Sequence, residues 1–505
     1  MNYKKNVKKQ FILFFLYEIL FNSIFCSFII IPFQTEQINQ GSLNFIQSKF
    51  DINLHTYLEL GKPKQKIKIF FRDEFFSFFI IDTNTTYNEE ETNNNKIPPE
   101  NIKLNINSFY NSKSSSTYKN TSEYKNFFID IYYRKGYLSK ETFYFKTNNI
   151  SDLMEYNNLD FVLVNKIKPN RTLLSGCIGL LVEEYFLEGA QSFVRMLAKN
   201  NVTSSNIWTK KYYNDKKGYF IFGDYPHEYE KNIYHKEQYI ETDIKYNTYI
   251  QKWNLEFEEI FFRIGNKNND LYINEINNNV YLNFTLYGEI KHNLGLIIGT
   301  VEYQKLIEEF FFNYYIDKNI CFKEKILLTI HNDDKANYTY YFCQNNNLFY
   351  KEKFPTLYLN QKSLKYIFEL NENNLFILND NKWYFMIIFE GEEIANPLHK
   401  WIFGEPFLKK YNFVFDPINY KLGFYNPLIP YSEQKEKSKK EISNNNNQIL
   451  FFGLILLFSF VCIFLIYSYF CQKIQFFNKK ISNSKYIELD NLPLNDYKNS
   501  LDKKI

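Results

Sequence analysis

Residues 401–425, WIFGEPFLKKYNFVFDPINYKLGFY, are the stretch of this chain that says most about its fold. The run 413–415 combines aromatic and β-branched residues, which favours a strand, and the polar residues after it are typical of a turn. A second apolar stretch follows the turn. We therefore expect Phe415 and Phe424 to lie in a pair of strands inside a core.

Short runs of the same kind recur throughout the middle of the chain and are separated by polar turns. They include residues 66–71, 75–81, 127–133 and 219–222. Two stretches, 190–200 and 302–312, instead place apolar residues on one side of a helix. The pattern predicts a mostly β region with a few short surface helices.

Composition excludes several classes of protein. At 505 residues the chain is too long for one small module, and 45% hydrophobic with 23% charged residues is typical of a folded globular protein. The net charge of +4 is small for this length. No strongly basic face for nucleic acid is therefore expected.

The N-terminus has the pattern of a secretory signal. Four lysines, at positions 4, 5, 8 and 9, precede an apolar run over 11–32, in which Glu18 is the one charged residue. We assign residues 1–32 to a signal peptide, with cleavage near Cys26 and Ser27, or to an uncleaved anchor.

The C-terminus has the pattern of a membrane span. Residues 449–470 carry no charge over 22 positions, which is long enough for a transmembrane helix. Lysines at 473, 479 and 480 follow it, so the tail 471–505 is expected in the cytosol. With a polar stalk over 431–448, this predicts a single-pass type I membrane protein of the secretory pathway or cell surface, whose ectodomain is lumenal or extracellular.

Three of the six cysteines lie in the ectodomain, and an oxidising compartment favours one pair among them. We expect a Cys321–Cys343 disulfide, with Cys177 left as a buried thiol. The ectodomain also carries seven candidate glycosylation sequons. These are at Asn84, Asn120, Asn149, Asn170, Asn201, Asn283 and Asn337.

Several motifs, taken in chain order, resemble the pepsin-like aspartic peptidases. Residues 55–65, HTYLELGKPKQ, resemble the strand and turn that open that fold. Tyr132 matches the tyrosine of the flap, and Trp253 matches the tryptophan that opens the second lobe. Further matches are 110–119 (YNSKSSSTYK), 128–142 (FIDIYYRKGYLSKET), 175–180 (SGCIGL), 218–224 (GYFIFGD), 354–357 (FPTL) and the stretch 401–425.

The resemblance implies an all-β, bilobed fold with a central cleft. The expected lobes are residues 45–235 and 236–430. In the family, two Asp-Thr/Ser-Gly loops each supply one carboxylate, and the two carboxyl groups share a proton so that one can activate water. Neither a cofactor nor a metal is expected.

This chain contains no Asp-Thr-Gly or Asp-Ser-Gly triplet. At the first loop, an ungapped match puts Arg72 at the catalytic position, followed by Asp73 and Glu74. A guanidinium stays protonated and cannot act as a base. The alternative is Asp82, in IIDTNTT, which requires about ten inserted residues.

At the second loop, the match puts Lys291, His292 and Asn293 at the triplet positions. Glu289 is the nearest acid, but using it would shift the backbone by two residues. We expect Lys291 and His292 to lie in a solvated turn, and Arg72 or Lys291 to turn outward or pair with Asp73, Glu74 or Glu289. The alternative for His292 is a repurposed acid/base or metal-binding role.

Three functions stay open at this point. The first is a membrane-anchored pseudopeptidase that binds an extended peptide or protein without cutting it. The second is an active aspartic endopeptidase with an atypical dyad. The third is a non-enzymatic surface glycoprotein whose cleft has closed. With both motifs missing, we expect no peptidase activity.

Overall fold

The computed structural model describes residues 28–36, 44–73, 75, 77–87, 109–128, 133–147, 153–167, 174–182, 192–214, 216–244, 252–264, 271–272, 286–331, 334–391 and 400–429. Contacts between Cα atoms divide the chain into two units, Met1–Pro430 and Tyr431–Ile505. The described residues all belong to the first unit. Among them no helix is long and apolar enough to cross a membrane, and the predicted span over 449–470 lies outside them.

The described part consists mainly of strands, which we number in chain order. The first half contains β1 (Ile29–Glu36), β2 (Asn53–Leu60), β3 (Gln65–Arg72), β4 (Phe78–Tyr87), β5 (Lys119–Phe128), β6 (Tyr133–Lys146), β7 (Leu153–Ile167), β8 (Gly176–Gly179), β9 (Trp208–Asn214), β10 (Lys217–Phe222) and β11 (Tyr239–Asp243). The second half contains β12 (Asn254–Phe257), β13 (Glu259–Ile264), β14 (Leu271–Tyr272), β15 (Leu286–Ile290), β16 (Ile297–Gly299), β17 (Cys321–His331), β18 (Asp334–Gln344), β19 (Thr356–Gln361), β20 (Tyr366–Leu370), β21 (Phe376–Asn379), β22 (Lys382–Phe385), β23 (Ile387–Glu390), β24 (Lys400–Phe403), β25 (Phe413–Asp416) and β26 (Lys421–Tyr425).

Helices are few and short in the part of the chain that the structure describes, as the sequence predicted for the middle region. They are Phe45–Phe50, Phe193–Lys199, Pro226–Tyr229, Val301–Ile307, Asn313–Ile316, Glu372–Leu375 and Glu405–Lys410. A π-helical turn, Glu308–Phe312, joins two of them, so the helix expected over 302–312 extends from Val301 to Ile316. The helix expected over 190–200 begins at Phe193, because the Ser192 side chain caps it by accepting a hydrogen bond from the Arg195 N–H.

The strands form three sheets in the described part of the chain. The largest has the strand order β11-β26-β25-β9-β10-β1-β2-β3-β8-β4-β7-β6-β5. The second follows the order β12-β15-β24-β16-β23-β18-β22-β21, with β17 paired to β18, and the third follows β14-β13-β19-β20. This mostly β arrangement is consistent with a bilobed pepsin-like fold.

The expected start of the folded region at residue 45 is too late. β1 begins at Ile29 and pairs with β10 from Ile29 opposite Phe222 to Gln34 opposite Lys217. Ile29, Ile31 and Phe33 are buried. Residues 29–32 therefore belong to the large sheet rather than to the signal segment assigned to 1–32, and the apolar character of Ile29 and Ile31 reflects core packing.

The expected division between residues 235 and 236 does not follow the sheets. β11, β25 and β26 all follow residue 236 but lie in the large sheet, where Phe415 of β25 pairs with Trp208 of β9. The predicted strand pair is confirmed, since β25 and β26 run antiparallel with Phe413 opposite Phe424, and Phe415 and Phe424 are both buried.

Candidate functional site

Two turns meet where the ungapped match places the catalytic loops. The first turn follows β3 at Arg72 and Asp73, and the second follows β15 at Lys291, His292 and Asn293. Asp73 Oδ2 accepts hydrogen bonds from the backbone N–H groups of His292, at 2.5 Å, and of Asn293, at 2.9 Å. We call these five residues the loop junction. The two segments that the motifs paired are therefore in direct contact.

Arg72 is turned toward the chain segment that precedes β2. Its Nη1 donates to Asp51 Oδ1 at 3.0 Å, and its Nη2 donates to Asn53 Oδ1. The side chain of Arg72 is 13% exposed, against 51% for Asp51. We expected this guanidinium to pair with Asp73, Glu74 or Glu289, but these two hydrogen bonds go to Asp51 and Asn53 instead. Glu74 lies outside the described residues.

Lys291 lies near a different acid. Its backbone N–H donates to Phe403 O at 2.9 Å, which fixes the turn against β24. Burial raises the pKa of Glu390, at the end of β23, and a hydrogen bond from Tyr338 and the charge of Lys291 lower it in part. Arg72 and Lys291 are therefore each in the field of a separate carboxylate.

The segment 44–53 crosses both turns of the loop junction. Its helix packs through Ile46 in one apolar cluster with Leu294 and Leu296, which lie between β15 and β16, and with Ile298 of the second sheet. The backbone N–H of Gly295 donates to Lys49 O at 2.7 Å, and that of Ile52 donates to Asn293 O at 2.7 Å. Together with the Arg72 contacts, these bonds tie the segment to each turn.

The alternative acids, Asp82 and Glu289, have different partners on different sheets. Asp82, in β4, is 5% exposed, and its carboxylate accepts from the Asn84 N–H at 2.9 Å and from the Ser112 hydroxyl. Glu289, in β15, is 4% exposed and forms an ion pair with Lys252 at 3.4 Å. The bonds made by Asp82 join neighbouring Asn84 and the more distant Ser112, in the motif at 110–119, to β4.

His292 does not lie in the solvated turn that we expected. Its side chain is fully buried, and its ring packs against Trp208 and Phe415 at centroid distances of 5.0 and 4.8 Å. Burial, and then the charge of Lys210, lower its pKa well below 6.5. The ring is thus a neutral packing element, which argues against an acid/base role. Among the described residues no group of three or more His, Cys, Asp or Glu side chains could hold a metal ion.

Lys210, in β9, is a buried charge that the sequence did not reveal. It is 4% exposed, and its Nζ donates to His292 O at 3.2 Å. The ammonium also lies over the rings of Phe33 and Tyr212, at 5.1 and 4.5 Å. Burial lowers its pKa to about 7, although the charges of Glu405 and Asp73 raise it in part.

Glu405 brings a further charge to the loop junction. It begins the helix Glu405–Lys410, is 3% exposed and pairs with Lys409 at 3.2 Å, while its backbone N–H donates to Leu294 O at 2.7 Å. The helix can approach so closely because residue 404 is glycine, where a Cβ would lie 2.1 Å from Leu294 O. The sequence analysis predicted neither this helix nor the buried acid at its start.

Glu141, in β6, is a second buried acid that the motifs did not single out. It is fully buried, and its carboxylate accepts from Tyr110 OH, from the Ser115 hydroxyl at 2.7 Å, from the Thr117 hydroxyl and from the Thr142 N–H at 2.7 Å. Burial, followed by the contact with Glu141, raises the pKa of Tyr110. This network anchors the motif at 110–119 to β6.

The predicted cysteines lie among the described residues, whereas the flap tyrosine and some of the glycosylation sequons do not. Cys321 and Cys343 form a disulfide, with their Cα atoms 4.0 Å apart. Cys177 is buried and does not take part in a disulfide. Tyr132 and three of the sequon residues, Asn149, Asn170 and Asn283, lie outside the described residues. The other four sequon residues, Asn84, Asn120, Asn201 and Asn337, are exposed.

The comparisons with known proteins agree with the motifs and with this geometry. The family model described as eukaryotic aspartyl protease matches residues 55–269. This match supports the resemblance predicted from the motifs over residues 55–269. A comparison with curated proteins finds no match.

Proposed function

We propose that this protein is a catalytically inactive, membrane-anchored homologue of the pepsin-like aspartic peptidases that binds extended polypeptide in its cleft. One observation carries the proposal: the two turns that match the catalytic loops meet through Asp73, while the matched catalytic positions are Arg72 and Lys291. The anchor is the apolar run 449–470, and the ectodomain is lumenal or extracellular.

The chemistry of peptide hydrolysis requires a group at this place that can take a proton from water. A guanidinium cannot do so, because it stays protonated at any pH at which the protein is folded. The carboxylate of Asp73 accepts two backbone N–H groups of the opposite turn, so it serves as a structural acceptor. The loop junction thus has the framework of the peptidase site without its paired acids.

A second candidate is a non-enzymatic surface glycoprotein whose cleft is closed. The observation in its favour is the segment 44–53, which bonds to both turns through Lys49, Asp51 and Ile52. In this candidate the segment stays in place and no polypeptide reaches the loop junction.

The test uses full-length protein with a fluorescein-labelled, reduced and carboxymethylated ribonuclease, which is a permanently unfolded chain. We expect no cleavage above a mock preparation at any pH from 3 to 7, and saturable binding by fluorescence anisotropy. Absence of binding with intact folding favours the closed-cleft glycoprotein. Cleavage that disappears in Asp82→Ala overturns the proposal in favour of an atypical active dyad.

A further inference from the structure

Lys210, in the large sheet, is bonded to the loop junction through the backbone oxygen of His292. It lies in β9, between the aromatic side chains of β1 and β10, and its Nζ reaches the backbone oxygen of His292. Its neighbour Lys211 points the other way and pairs with Glu230 at 2.5 Å at the partly exposed surface. Two adjacent lysines on one strand therefore have opposite surroundings, as the alternation of side chains in a strand requires.

Charged and titratable groups face Lys210 from several elements. Asp73 contributes a carboxylate from the turn after β3, and the helix Glu405–Lys410 contributes Glu405 and Lys409. From the turn after β15 comes the neutral ring of His292, and from β9 itself the phenol of Tyr212, whose pKa is raised by burial and then by Glu405. Two acids thus face two lysines, of which Lys210 and Glu405 are buried, whereas Asp73 and Lys409 are only partly buried.

We propose that Lys210 is an internal proton-binding site, and that proton uptake by its amine favours a loosened conformation of the loop junction. An ammonium in a buried site loses its hydration, and only part of that loss is recovered from Asp73, Glu405 and the aromatic rings. Any conformation that lets water reach Nζ restores the hydration. Such a conformation binds the proton more tightly than the closed one.

The direction of the pH effect follows from linkage. In the closed structure the pKa of Lys210 is about 7, against an ordinary value of 10.5. The loosened conformation therefore holds more protons between these two values, and acidification favours it. If loosening restores the ordinary pKa, its equilibrium constant rises roughly 50-fold from pH 9 to pH 7 and levels off below pH 7.

This inference rests on the proposed function where it concerns ligands. The loosened turn after β15 is the one held by segment 44–53 through Asn293 and Gly295. Loosening would release this segment from the loop junction, so polypeptide would bind more tightly at pH 7 than at pH 9. The conformational effect itself can be measured without any ligand.

The experiment is rapid-mixing hydrogen exchange on full-length protein at pH 7, 8 and 9, followed by mass spectrometry of peptides that cover 286–296. Rates are divided by the intrinsic exchange rate at each pH. We expect wild-type protection to fall by more than tenfold from pH 9 to pH 7. Lys210→Met should abolish this trend, because a thioether fits the aromatic surroundings without a charge. Lys211→Met is the matched control and should retain it.

A second variant keeps the test decisive if Lys210→Met does not fold. Glu405→Gln removes an acid that favours the ammonium, so the trend should level off at a lower pH than in wild type. Equal pH dependence in wild type, Lys210→Met and Glu405→Gln overturns the inference.

Binding of the labelled unfolded ribonuclease separates the two proposals. If it never binds while the exchange trend depends on Lys210, the proposed function fails and the proton site stands; if it binds while exchange is independent of Lys210, the reverse holds.

Discussion

Asp73 joins the two turns of the loop junction through a single carboxylate oxygen, which accepts from the N–H groups of His292 and Asn293. Replacing Asp73 with Ala leaves both donors without this acceptor, and a buried donor that loses its partner costs about 1–3 kcal/mol. We expect Asp73→Ala to lower the free energy of unfolding by about 2 kcal/mol or more in urea titrations. Asp73→Asn should cost less, because its amide oxygen can still accept.

Asp51→Asn is the control for this prediction. It changes a half-exposed partner of Arg72, and ion pairs of that kind contribute about 1 kcal/mol or less. If Asp73→Ala is as stable as Asp51→Asn, the hydrogen bonds from His292 and Asn293 to Asp73 do not hold the loop junction together.

At the scale of single residues, the sequence indicated the matched positions but not their environments. Lys210, Glu405 and Glu141 are charged, and charged side chains are rarely buried unless they are paired. The pattern of one chain does not show which distant residues will supply those partners: Lys210 meets an oxygen from residue 292 and Glu141 meets a phenol from residue 110. His292 was misplaced for the same reason, since Trp208 and Phe415 enclose it from two other strands.

At the scale of elements, the hairpin of β17 and β18 is closed at its base by the Cys321–Cys343 disulfide. The two residues lie directly opposite each other in the antiparallel register, and both are buried. A cross-link over 22 residues stabilises the fold by about 3 kcal/mol, mainly by restricting the unfolded chain. We expect the double variant Cys321→Ala, Cys343→Ala to lose about this much in guanidinium titrations, and reductant to destabilise the wild type but not the variant.

Cys177→Ala is the matched control, because it removes a fully buried thiol without removing a cross-link. It should lose less stability than the double variant and should still respond to reductant. A double variant no less stable than Cys177→Ala would show that the cross-link adds nothing.

Strand runs and helix starts were predictable because their signals are local. The pair β25 and β26 and the helices near 193 and 301 lie where periodicity and turn residues placed them. β1 was not recognised, because its apolar residues continue the run that begins at residue 11 and have the composition of a signal segment. Only the pairing of β1 with β10 and β2 distinguishes the two.

At the scale of the whole molecule, both ends of the described chain lie in one sheet. β1 comes from residues 29–36 and β26 from residues 421–425, with β25, β9 and β10 between them in the strand order. The motifs predicted the family and the mostly β class, but not this closure. Pairings between strands roughly 200 residues apart, such as Ile29 opposite Phe222 and Val414 opposite Thr209, depend on the surfaces that both strands present in the folded state, and no local pattern records them.

This closure makes the last strands essential for folding, although the matched family region ends at residue 269. Phe415 stacks on Trp208 at 4.1 Å, and Phe413, Leu422 and Phe424 are buried with it. Each buried phenylalanine contributes about 3–5 kcal/mol against truncation to alanine, so the loss of both strands is comparable to the roughly 5–15 kcal/mol that stabilises a typical domain. We expect a chain that ends after residue 411 to be degraded rapidly in limited proteolysis. A chain that ends after residue 430 should yield the same protease-resistant core as the full-length protein. Equal resistance of the two truncated chains would show that the large sheet is stable without β25 and β26, and that the fold closes elsewhere.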